Sequence, residues 1–230
     1  MNERTPSPRL DPSRVRLGAE GRMFLREAAR DLRTVGAVAP SGPALARLLT
    51  DPLTERGARS LRVLEVGAGT GSVTRVLLSR LPAGSRLGIV EPNPRFVGRL
   101  RDLVRGHERV RVHEAFVEEL GIHRRYDVIV SGLPFTNFTA DRVEAIMTRY
   151  LQLLEPDGTL TYFAYRATRH ARTLLSSPAE AHRHRTVEDV LATYRRHHPT
   201  ACRTAWTNLP PAGAWRLTPA PEPLRTPVVR

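Results

Sequence analysis

Leu61 to Gly71 reads Leu-Arg-Val-Leu-Glu-Val-Gly-Ala-Gly-Thr-Gly, and this run constrains the chain more than any other. Its apolar first half, Leu61 to Val66, predicts a buried parallel strand. Ser72 to Leu81 then carries Val73, Val76, Leu77 and Leu81 at helical spacing. Between them, Gly67, Gly69 and Gly71 permit a tight turn and a close approach to a ligand where a Cβ would collide. Strand, glycine turn and helix in this order place a nucleotide-binding crevice at the carboxyl end of the first strand. The chain is therefore expected to be α/β.

The glycine spacing is G-x-G-x-G, with the acidic Glu65 just before it. A pyrophosphate would gain nothing from Glu65, whereas a ligand with a cationic centre and no phosphate would be suited by it. That points to S-adenosylmethionine, which carries a sulfonium and an α-ammonium group. A second apolar strand, Leu87 to Val90, ends in Glu91, 20 residues after Gly71. A carboxylate there accepts hydrogen bonds from ribose hydroxyls; alternatively, Glu91 caps the helix beginning near Pro94. Glu65, Gly67, Gly69, Thr70, Gly71, Glu91 and Pro92 are the candidate cofactor residues of this half. The segment resembles the glycine motif and following acidic motif of the class I S-adenosylmethionine-dependent methyltransferases.

With 230 residues and 40% hydrophobic content, the chain has the length and core for one α/β domain with short extensions. No apolar run reaches the roughly 18 residues of a membrane-crossing helix. Met1 to Pro12 is polar and proline-rich, without the apolar core of a signal peptide. Cys202 is the single cysteine, which excludes an internal disulfide and fits a cytoplasmic setting; it is read as a small buried residue. All 36 basic residues are arginine, and the net charge is +13. GC-rich codons account for arginine usage; the functional reading is attraction to a polyanion, either nucleic acid or an anionic membrane surface. Guanidinium groups suit phosphate in both cases, so charge does not separate them.

Residues 1–14 are expected to form a disordered arm, 15–50 a helical cap, 51–217 the catalytic domain and 218–230 a tail. In the cap, Leu17, Phe24, Leu25, Ala28 and Leu32 share one side of a basic helix. Such a helix can lie in a membrane interface or pack on its own domain. A third strand is expected at Val110 to His113, followed by Glu114, Ala115, Phe116 and Val117. A fourth, from Tyr126 to Val130, runs into Ser131-Gly132-Leu133-Pro134-Phe135. Asp141 to Leu154 reads as a helix burying Val143, Ile146, Met147, Tyr150 and Leu151, and Pro156 to Gly158 as a turn before a strand from Thr159 to Tyr165. Residues 166–185 read as a solvated basic loop whose histidines lack metal-ligand partners. Thr186 and Asp189 give a capping signature for a helix to His197. Ala201 to Trp206 and Gly213 to Leu217 read as an antiparallel closing pair.

A more specific resemblance is carried by Phe24-Leu25-Arg26-Glu27-Ala28, by Thr34-Val35-Gly36-Ala37-Val38-Ala39-Pro40-Ser41, and by Leu45-Ala46-Arg47. Ser131 to Phe135 with Asn137-Phe138, and Trp206-Thr207-Asn208-Leu209-Pro210-Pro211-Ala212, complete it. Together they resemble the soluble bacterial phospholipid N-methyltransferases, peripheral enzymes that methylate the amine of phosphatidylethanolamine. The resemblance runs from about Phe24 to Leu217 and implies a Rossmann-like, seven-stranded, mostly parallel sheet flanked by helices. It also implies that Val35 to Ser41 closes over the methionine end of the cofactor and that Ala115 and Phe116 touch the adenine. Ser131, the backbone oxygens of Gly132 and Leu133, and Tyr165 are the candidate acceptor-site groups. Nucleic-acid adenine methyltransferases carry Asp or Asn where this chain has Ser131. The expected partners are thus a lipid or small-molecule amine and an anionic membrane surface on the cytoplasmic side. No nucleic acid, metal or obligate protein partner is expected. A methyltransferase for a small molecule or peptide is the alternative, and an rRNA adenine methyltransferase or RNA-binding protein the third.

Overall fold

The computed structural model describes residues 42–121, 124–165, 178–208 and 211–220. The expected arm, the helix around Phe24 and Leu25, and the loop from Val35 to Ser41 lie outside the described residues. Apolar strands and one-sided helices can bury their faces only in layers. The elements are α1 (Pro43–Glu55), β1 (Arg62–Val66), α2 (Ser72–Arg80), β2 (Arg86–Val90), α3 (Pro94–Leu103), β3 (Val110–His113) and β4 (Tyr126–Ser131). After them come α4 (Ala140–Leu153), β5 (Leu154–Tyr165), α5 (Pro178–His197), β6 (Thr200–Ala205) and β7 (Ala212–Leu217). They form one seven-stranded sheet in the order β3-β2-β1-β4-β5-β7-β6. β1 to β5 run parallel, and β7 is antiparallel to both β5 and β6. This is the expected Rossmann-like sheet with flanking helices.

Alternation along the strands sorts its two faces. Val63, Val128, Val130 and Phe163 join one cluster with Leu45, Leu49 and Leu53 of α1 and Leu77 of α2. The Thr161 hydroxyl, on the same face, donates to Leu49 O at 2.8 Å and ties α1 down. Ser131 and Tyr162 point to the opposite face, where Tyr150 of α4 and Arg195 of α5 reach them.

The structure departs from the sequence reading in four places. Residues 178–185 belong to α5 and not to a basic loop, because the helix starts well before Thr186, with Glu180 in its first turn. Thr186 is therefore an interior residue, and its hydroxyl donates back to Arg183 O at 2.8 Å. Pro156 to Gly158 do not end a segment: β5 already pairs at Tyr126↔Leu154, and the register shift before Val128↔Thr159 absorbs them as a bulge. Cys202 is exposed, because β6 is an edge strand open to solvent along most of its length. In α4, Leu153 is buried and Leu151 only partly so.

Candidate active site

β1, β2 and β4 end together where the strand order reverses, the place at which open α/β sheets form a crevice. Backbone hydrogen bonds tie the ends: Gly67 N donates to Val90 O (2.9 Å), Gly132 N to Val66 O (2.8 Å) and Glu91 N to His113 O (3.1 Å). Two glycines make this approach possible. A Cβ on Gly132 would stand 2.6 Å from Gly67 O, and one on Gly67, where φ is +73°, would meet Leu133 Cδ2 at 2.5 Å. At Gly69 a Cβ would meet nothing within 4 Å, so the turn opens into space there.

Two buried carboxylates stand at this turn. Glu91 accepts from Gly69 N and from Asn93 N, each at 2.9 Å. Burial raises its pKa against the pull of those two donors. The helix cap is Asn93, whose side chain accepts from Arg95 N, so capping α3 does not account for Glu91. Glu65 is 1% exposed. Its Oε2 accepts a hydrogen bond from the Thr74 hydroxyl at 2.7 Å, and its Oε1 has no hydrogen-bond partner among the described residues. Burial first, with the Glu91 charge adding, pushes the Glu65 carboxyl up to about 8. The pair is short of donors and of positive charge. S-adenosylmethionine brings ribose hydroxyls, an ammonium and a sulfonium, so the residues present fit it.

Ser131 lies at the end of β4 as expected, but its side chain is fully buried. Its Oγ accepts the Tyr150 hydroxyl at 2.9 Å and the Leu133 N–H at 3.4 Å. Tyr150 was legible only as a core position of α4. Ser131 pairs with Tyr162, so Tyr165, three residues on, faces the other side of the sheet, packed edge-on against Phe163 at 5.2 Å. The structure thus brings together the backbones of Ser131, Gly132 and Leu133 but not the Ser131 hydroxyl and the Tyr165 ring.

Thr70 is exposed on the glycine turn, and Pro92, Ala115 and Phe116 are half-buried after β2 and β3. Arg142 of α4 places its guanidinium 4.8 Å over the Phe116 ring and 5.6 Å from that of Phe138, while pairing with Glu118 at 3.1 Å. Asn208, buried in the β6–β7 turn, accepts from Gly42 N at 3.0 Å. That bond joins the turn to the start of α1, and no local sequence signal announces it.

The family described as a methyltransferase domain matches residues 63–158. Over 144 residues the chain is 31% identical to an ornithine lipid N-methyltransferase of Singulisphaera acidiphila, a match covering 60% of this chain and 73% of that protein. The chain belongs to the S-adenosylmethionine-dependent methyltransferases. The enzyme is also 26% identical over 137 residues to a malonyl-[acyl-carrier protein] O-methyltransferase of Acetivibrio thermocellus, covering 60% of this chain and 47% of that one. Its fold is similar to that of the 1,6-didemethyltoxoflavin-N1-methyltransferase of Burkholderia thailandensis (TM-score 0.62, 20% identity, 94% of each chain). It is similar too to the N-methyltransferase NodS of Bradyrhizobium japonicum (TM-score 0.61, 17% identity, 85% of this chain and 96% of that one). No helix among the described residues is long and apolar enough to cross a membrane.

Proposed function

We propose that the enzyme methylates the primary amine of a membrane lipid at the bilayer surface, with phosphatidylethanolamine as the acceptor. The observation that carries this reading is the likeness to a lipid N-methyltransferase across 60% of the chain. S-adenosylmethionine supplies a methyl group on a sulfonium, open to in-line displacement by a nitrogen lone pair. The chain has then to hold two partners in line, which by itself supplies much of the acceleration. Glu91 accepts the ribose hydroxyls, and Glu65 offsets the cationic methionine end through its unpaired oxygen. The carbonyl oxygens of Ser131, Gly132 and Leu133 accept the amine N–H groups and aim the lone pair. An amine brought to this edge loses water beside a cation, and both effects lower its pKa and favour the neutral, reactive form.

The likeness to a malonyl-[acyl-carrier protein] O-methyltransferase favours a second reading, in which the acceptor is soluble or carrier-bound. Mass spectrometry after incubation with S-adenosylmethionine separates the two. Phosphatidylethanolamine vesicles, ornithine lipid vesicles and a soluble metabolite pool are offered side by side. Phosphatidylethanolamine heavier by one to three methyl groups is the expected product. Product from ornithine lipid alone would keep the lipid class and change the acceptor; product from the soluble pool alone would overturn the reading.

A further inference from the structure

Strand register shows which residues stand at the edge where the chemistry occurs. Ala205 pairs with Ala212, and Ala212 pairs with Tyr165, the last residue of β5. The β6–β7 turn therefore hangs at the same edge as the glycine turn and the Ser131-Gly132-Leu133 backbone. Trp206 opens that turn and is 72% exposed, the large hydrophobic side chain that stands out in solvent among the described residues. An exposed aromatic needs no explanation in general; here its position supplies one.

α5 contributes to the same edge. It ends at His197, just before β6 begins at Thr200, whose partner Leu217 pairs with Leu160 toward the far side of the sheet. The helix therefore descends from the reactive edge. Tyr194 of α5 lies level with Glu144 and Thr148 of α4, bonded to them at 3.2 and 2.8 Å. Pro178 precedes Tyr194 by about 24 Å of helix, whereas Ala140 precedes Glu144 by only about 6 Å. The first turns of α5 thus extend past the start of α4. His182, Arg183 and Arg185 are exposed there, with Glu180 as the acidic residue among them.

An amine on a lipid headgroup cannot travel far from its bilayer. To present it at the strand ends, this edge must lie against the membrane interface, and whatever protrudes from the edge must enter it. Tryptophan settles at headgroup depth, with its ring among acyl carbons and its N–H toward oxygen. Guanidinium groups fork onto lipid phosphates. We infer that Trp206, with Arg183 and Arg185 at the start of α5, forms a docking surface for an anionic phospholipid bilayer. The inference rests on the lipid-amine reading of the active site. It assigns the contact to the catalytic domain itself and orients the crevice toward the acceptor.

The test uses the full chain and vesicles of phosphatidylglycerol and phosphatidylethanolamine, some with brominated acyl chains. The Trp206 signal is the emission difference between wild type and Trp206→Phe. It should shift to the blue and be quenched by the brominated lipid. A Trp206→Ser, Arg183→Gln, Arg185→Gln variant should bind these vesicles on the order of tenfold more weakly. Its calorimetric affinity for S-adenosylhomocysteine should match wild type, which shows that it is folded. Unchanged vesicle affinity in that variant overturns the docking surface even if phosphatidylethanolamine is still methylated. A Trp206 signal that responds to RNA and not to vesicles also overturns it. If the edge binds vesicles while turnover is confined to soluble acceptors, the docking surface stands and the lipid acceptor falls.

Discussion

On one side of the β1–β4 junction, strand ends are joined backbone to backbone through Gly67, Glu91 and Gly132. On the other, β5, β6 and β7 pair through their own ladders, and side chains from distant segments brace them. Arg195 reaches Tyr162 and stacks 4.4 Å over Trp215, and Asn208 holds Gly42. A site made from backbone needs only glycine at the closest approaches and an acid at each strand end, so many sequences can build it. A site made from side chains changes with each substitution. The match to the methyltransferase domain, residues 63–158, covers the first kind and stops before α5, β6 and β7. The expectation is therefore that cofactor binding follows the backbone-built half, while α5, β6 and β7 tune how an acceptor sits against the strand ends.

The largest expected effect tests how rigid the first half is. Gly132→Ala puts a methyl group 2.6 Å from a backbone oxygen that has no rotamer to escape with. It should cost about 3 kcal/mol in urea denaturation. Gly69→Ala meets no atom and bears only the strain of a φ of +53°, so it should cost about 1 kcal/mol. Equal losses at the two glycines would break the contrast. Next comes Glu91→Ala, which should weaken S-adenosylhomocysteine binding by about 2 kcal/mol in calorimetry by removing the acceptor of Gly69 N–H. Unchanged affinity would remove Glu91 from the cofactor site.

Glu65 sharpens the comparison through pH. Its carboxyl, raised from 4.5 to about 8, keeps its proton in the folded apoprotein where the unfolded chain has lost it. Between those values the folded state binds more protons, so stability should fall as pH rises, by up to about 1.4 kcal/mol per unit, and level off above. A cationic cofactor favours the ionised form, so its binding should release a proton and tighten as pH rises toward that value. Titrations in two buffers of different ionisation enthalpy would show the proton, and Glu65→Gln should abolish it.

Smaller effects are expected across the junction. Ser131→Ala should cost about 1 kcal/mol of stability while leaving kcat within a few-fold, because the hydroxyl is engaged by Tyr150. Collapse of kcat at unchanged stability would make that hydroxyl a chemical group after all. Asn208→Ala should cost on the order of 0.5–1 kcal/mol and raise the acceptor KM while S-adenosylhomocysteine affinity holds. A loss of cofactor affinity in that variant would show that the two halves are coupled.

The sequence alone determined the strand, glycine turn and helix around Gly67, the acid at Glu91, the strand end at Ser131 and the antiparallel closing pair. Apolar periodicity, glycine and prolines that follow strand ends are local properties, and each acts within one element. Only the tertiary structure decided that the Ser131 hydroxyl turns into the core and that Tyr165 stands on the opposite face from it. It alone showed an unpaired oxygen on Glu65, a helix beginning at Pro178, and Asn208 bonded to Gly42. Periodicity says which residues share a face of one strand or helix. Which partner that face meets depends on register and on closing long loops, and a one-residue slip between strands exchanges the two faces. Such pairings join residues scores of positions apart, and no short stretch of sequence records them.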